Sequence, residues 1–120
     1  MTSAPSSMHL YRPGVLSALG SGMEVTVERL LDPAPSSLTL SDRWVAGRTL
    51  PLGQVTEPLR PFDAALPDEH RSRNNQLLWH AMAQVEPALS AACRCFGPDR
   101  IGVVLGTSTS GVDENLPAFR

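Results

Sequence analysis

Lysine is absent from these 120 residues; all ten cationic side chains are arginine. That removes Schiff-base chemistry, a lysine general base and the lysine that a phosphate-binding P-loop needs. Aromatic residues make up only 5% of the chain, too few to build a base-stacking platform. The arginines are scattered from Arg12 to Arg120 over a net charge of -2, leaving no basic stripe to follow a phosphate backbone. Nucleic acid is therefore not expected as a partner. No apolar run approaches the ~20 residues of a membrane span, and residues 1–7 have neither the basic start nor the apolar stretch of a signal peptide. A cytoplasmic chain with no membrane association is the resulting expectation. Cysteine occurs twice, as Cys93 and Cys95. One residue apart on a helix they point to different faces, so a mutual bond is geometrically poor and free thiols are expected.

What is present amounts to about one domain, or one piece of a larger one. Residues 1–7 read as a flexible tail and residues 8–120 as the folded part. Met8 to Leu19 carries apolar residues around Pro13-Gly14, the pattern of a short strand broken by a turn or bulge. Ser21-Gly-Met-Glu24 has the capping-box form, and Met23, Val27, Leu30 and Leu31 follow at helical spacing until Asp32-Pro33. Residues 32–43, rich in Pro, Ser and Leu, read as a loop; Trp44 to Leu59 reads as short, interrupted strands. The strongest periodicity starts near Asp68, where Leu78, Met82, Val85, Leu89 and Cys93 recur in steps of three or four. Pro87 removes one amide donor from that helix and predicts a kink or two abutting helices, and Gly97-Pro98 ends it. Ile101 to Leu105 is a compact run with β-branched residues and no alternation, which suits a strand buried on both faces. A buried strand after a long helix implies a βαβ layer arrangement.

Gly106-Thr-Ser-Thr-Ser-Gly111 has the spacing G-x-x-x-x-G behind an apolar run, but Val112 and Asp113 stand where a P-loop carries Lys and a hydroxyl. Around Ser108 the second glycine of a nucleophile elbow is missing. Cys93 continues an apolar helix face and reads as packing rather than as an activated thiol. His70, His80, Cys93 and Cys95 show neither paired C-x-x-C nor H-E-x-x-H spacing, so no metal site is expected.

Three segments in order carry a resemblance: Gly14-Val-Leu-Ser-Ala-Leu-Gly20, Ser72-Arg-Asn-Asn-Gln-Leu77, and Arg100-Ile-Gly-Val-Val-Leu-Gly-Thr-Ser-Thr-Ser-Gly111. Together they resemble the N-terminal half of the β-ketoacyl-acyl-carrier-protein synthases, the ketosynthases of the thiolase-like superfamily. The wording around Ser72 is most similar to the aryl-polyene type. The resemblance implies an α/β fold: an incomplete N-terminal half of a thiolase-like architecture, with layered helices and a mixed sheet. It further implies decarboxylative Claisen condensation in fatty acid or polyketide chain elongation, with a Cys nucleophile and two His residues. An acyl carrier protein and a homo- or heterodimer partner are implied as well, with no metal or nicotinamide cofactor. The family's nucleophile and histidines lie beyond the Gly-rich loop, so neither Cys93 nor Cys95, and none of His9, His70 and His80, takes those roles. No catalytic residue is expected within the chain, which reads as a truncated portion, inactive alone. Its loop of Gly106, Thr107, Ser108, Thr109, Ser110 and Gly111 is expected to line the acyl pocket or the dimer interface. Two alternatives stay open: a non-catalytic partner similar to the chain-length-determining subunits, and a small anion-binding α/β module using Thr107 to Gly111.

Overall fold

In a computed structural model, which describes residues 7–34 and 37–107, the chain is a small mixed α/β protein of three helices and two antiparallel hairpins. The first hairpin joins β1 (Leu16–Ser17) to β2 (Gly20–Ser21), pairing Leu16 with Ser21 and Ser17 with Gly20. Its tight turn requires Gly20 at φ 129, where a side chain would be strained. Helix α1 (Met23–Leu31) follows at once, with Gly22 as its cap at φ 97. The Ser21–Glu24 capping box is therefore not formed. Ser21 is held in β2 and turns its hydroxyl to distant partners, while Thr26 Oγ1 bonds back to the Gly22 carbonyl at 2.7 Å.

The second hairpin pairs β3 (Leu38–Ser41) with β4 (Leu50–Gly53) through four residue pairs, Leu38 facing Gly53 and Ser41 facing Leu50. Strand β3 falls within residues 32–43, where a loop is expected from sequence. Its Leu-Thr-Leu-Ser alternation is too short to stand out among prolines and serines, and only its partner defines it. Pro51 is tolerated in β4 because a two-stranded sheet has only edges. Gly53 lies against Ala18: a Cβ there would come within 3.2 Å of the Ala18 Cβ, so the second hairpin packs on the turn of the first.

The expected long helix is two helices, α2 (Arg73–Ala83) and α3 (Glu86–Phe96), preceded by a single 3-10 turn at Asp68–His70. Ser72 caps α2 by accepting the Asn75 amide at 3.1 Å. At the break the Gln84 and Val85 amides bond three residues back, to Ala81 and Met82, so the chain tightens instead of continuing the α ladder. Pro87 sits in the first turn of α3, where its missing amide costs nothing. Gly97 at φ 82 closes α3.

Packing is open throughout. Among the described residues no hydrophobic side chain is fully buried, and Gly20 is the one buried residue. The accessible surface is 10100 Å², against about 6300 Å² for a compact monomer of this mass. The radius of gyration is 18.7 Å, against roughly 14 Å for a compact domain of this length.

Candidate functional site

The Gly-rich loop is the natural starting point. Only Gly106 and Thr107 of it fall in the described part; Ser108, Thr109, Ser110 and Gly111 lie outside the described residues. The Ile101–Leu105 strand expected ahead of it does not form: no ladder partner engages residues 101–107, and Val104 is 96% exposed. A strand needs a neighbour to satisfy its backbone and cover its faces, and the two hairpins present in the chain are paired within themselves. Among the described residues no βαβ unit is built, because the pairings there are antiparallel. Thr107 Oγ1 bonds Asn74 Oδ1 at 3.4 Å, which tethers the start of the loop to the first turn of α2.

The densest polar cluster lies elsewhere, where the first hairpin meets α2. The Gln84 side-chain amide pairs with the Val15 backbone as a neighbouring strand would. Its Oε1 accepts the Val15 amide at 3.0 Å, and its Nε2 donates to the Val15 carbonyl at 2.9 Å. The same Nε2 reaches Ser21 Oγ at 3.0 Å. His80, one turn earlier on α2, contacts Ser21 Oγ through Nε2 at 3.1 Å. Its Nδ1 accepts the Arg60 backbone amide at 3.0 Å. Gly14 makes this close approach possible, because a Cβ there would collide with the Ala81 carbonyl oxygen.

A serine beside a histidine invites comparison with a nucleophile and its base, and the tautomer decides against it. A backbone amide can only donate, so Nδ1 must carry a lone pair and the proton of the neutral ring sits on Nε2. His80 thus presents an N–H to Ser21 and cannot take its proton, whereas a general base needs the opposite arrangement. The cluster is a structural lock between hairpin and helix.

Beside it, residues 54–66 form a strap that runs along α2 as far as Pro61 and then turns back toward the helix start. Arg73 Nη2 bonds the Val55 carbonyl at 3.1 Å, Trp79 Nε1 bonds the Pro61 carbonyl at 3.2 Å, and the Arg60 amide meets His80 between them. The Arg60 guanidinium lies over the Trp79 ring at 4.6 Å and pairs with Glu86 of α3 at 2.9 Å. Arg71 closes the far end of the strap: Nε donates to the Leu66 carbonyl, and Nη2 to those of Asp63 and Ala64. A lysine ammonium has no planar fork to hold three carbonyls in this way.

Strap and helix border an open groove of about 260 Å³, lined by Phe62, Leu66, Leu78, Trp79 and Met82, with Asp63, His70 and Asn75 also on its wall. It is smaller than the ~300–1,000 Å³ common for small-molecule sites, and its lining is almost wholly apolar, so it suits one apolar group and offers no reactive pair. Cys93 is half-buried and Cys95 exposed on α3, both as free thiols. His9 makes a 3.5 Å contact with Ser7 on the exposed N-terminal stretch. Among the described residues no three His, Cys, Asp or Glu side chains converge as metal ligands, and no helix is long and apolar enough to cross a membrane.

The chain matches no protein-family model, and no curated protein matches it. Sequence reasoning passed over His80, Ser21 and Gln84 as partners, because hydrogen bonds spanning 59 and 63 residues have no local signature.

Proposed function

We propose that this chain is the N-terminal portion of a β-ketoacyl-acyl-carrier-protein synthase-like protein of fatty acid or polyketide/aryl-polyene chain elongation, and that it has no condensing activity alone. The observation that carries this is the bare apolar run ahead of the Gly-rich loop, with Val103, Val104 and Leu105 at 54%, 96% and 57% exposure. A β-branched run without alternation is the composition of a strand covered on both faces. Among the described residues it stands uncovered, which supports the reading that further layers cover it. In a thiolase-like half-fold those layers bring the reacting groups: a Cys that takes the acyl chain from its carrier protein as a thioester, and two His residues that assist decarboxylation of the malonyl extender. The Gly106–Gly111 loop then lines the acyl pocket or the interface of a homo- or heterodimer.

The test has two arms. Purified chain supplied with acyl- and malonyl-loaded carrier proteins is expected to release no CO2 and form no 3-oxoacyl product; turnover would place the nucleophile inside these 120 residues and end the proposal. The DNA following codon 120 is expected to encode, in some frame, a Cys-bearing strand-to-helix turn and two later histidines. Their absence would count equally against it. The same uncovered surface also favours a second reading, a non-catalytic partner subunit, for which co-purification with a full-length synthase is the deciding observation.

A further inference from the structure

We infer that His80 is a pH-sensitive latch that fastens the 54–66 strap over the α2 groove. Both ring nitrogens are committed, Nε2 to Ser21 and Nδ1 to the Arg60 amide, at 3.1 and 3.0 Å. The first bond survives protonation, since Nε2 is a donor in either state. The second does not. An imidazolium carries N–H on both nitrogens, so charging the ring sets Nδ1–H against the Arg60 N–H at a separation that only a hydrogen bond tolerates. The Arg60 backbone must then withdraw.

Arg60 fastens the middle of the strap in several ways. Its guanidinium lies on Trp79 and pairs with Glu86, and the next residue's carbonyl accepts from Trp79 Nε1. Withdrawal at this point lifts Phe62, which walls the groove, away from Leu78 and Met82. The charged groups on the elements around His80 do not offer its cation a carboxylate bond in exchange. Glu86 is engaged by Arg60. Glu57, also on the strap, lies near Gly20 together with Arg29 of α1, at 3.3 and 3.6 Å from where a Gly20 Cβ would stand. Asp63 caps the Ala65 amide at 2.8 Å, and the histidine itself bonds only Ser21 and Arg60. The β1–β2 hairpin contributes no ionisable side chain to this junction. Neutral His80 therefore closes the strap and charged His80 opens it. This inference is independent of the ketosynthase proposal.

The test is hydrogen exchange followed by NMR on the whole chain at pH 8 and pH 5, with exchange rates corrected for their intrinsic pH dependence. At pH 8, ring 15N shifts should place the His80 proton on Nε2, and the Arg60 amide should be protected. At pH 5 that protection should fall about tenfold, the scale of one lost hydrogen bond, while the Val15 amide, held by Gln84, stays protected. His80→Asn puts a side-chain carbonyl oxygen near the position of Nδ1 without a titrating group and should abolish the difference; His70→Gln should leave it intact. Unchanged Arg60 protection in the wild-type chain, or an Nδ1–H tautomer at pH 8, would overturn the latch whatever the variants do. A pH difference that persists in His80→Asn would overturn it too.

Discussion

Gln84 does at the residue scale what a strand does at the element scale. One primary amide supplies the acceptor for the Val15 amide and a second donor to the Val15 carbonyl, which also accepts the Gly22 amide at 2.8 Å, and its nitrogen reaches Ser21 as well, so a single side chain extends the hairpin's pairing onto α2. Three half-buried bonds at about 1 kcal/mol each, partly replaced by water, set the scale of its loss. Gln84→Ala is expected to lower the local opening free energy at the Val15 amide by about 1 to 3 kcal/mol. Native-state hydrogen exchange reads this directly, and a change confined to α2 with no effect at Val15 would show that the pairing carries no weight. Nothing near Gln84 in the sequence announces this role, because a glutamine late in an amphipathic helix looks like any solvated position. Pro87 was legible, since a proline's missing donor is a local fact and the helix duly divides there.

At the element scale, α2 is the part to which most of the chain is tied: the first hairpin through Gln84 and His80, the strap through Arg73, His80 and Trp79, and the loop start through Asn74. Its start depends on Ser72 Oγ, which accepts the Asn75 amide, and Asn75 Nδ2 in turn bonds the His70 carbonyl at 2.9 Å. Removing the cap by Ser72→Ala should cost about 1 kcal/mol and should loosen the strap's Val55 end, since Arg73 is the next residue. Limited proteolysis at residues 54–60 is the measurement, and unchanged cleavage would detach strap from helix start. Helix positions were legible from spacing, whereas the first-turn cap of α1 was not: Ser21 and Glu24 have the right separation, yet β2 pairing and the pull of His80 and Gln84 outweigh a local bond.

At the scale of the molecule, the described residues have secondary structure without a closed interior. Exposed apolar side chains appear on every part of it: Met8, Leu10 and Tyr11 ahead of the first hairpin, Leu30 and Leu31 on α1, Leu40 on β3, Phe96 on α3, and Val104 beyond. With so little surface removed from water, cooperative unfolding has no common core to lose. Heating the isolated chain should therefore give a broad, shallow transition with binding of an apolar dye from the outset. A sharp two-state transition by a soluble monomer would contradict this. The fold class was legible at the level of mixed helices and strands because periodicity is local. The state of Ile101–Leu105 was not, because composition specifies what a strand wants around it and says nothing about whether those layers are present.

The bond between Val15 and Gln84 also has a clock attached. It joins residues 69 positions apart, so at ribosomal rates of about 5–20 residues per second Val15 leaves the synthetic centre roughly 3 to 14 s before its partner exists. Through that interval Val15 and β1 have no α2 to pack against, which makes the first hairpin a target for holding chaperones until α2 emerges.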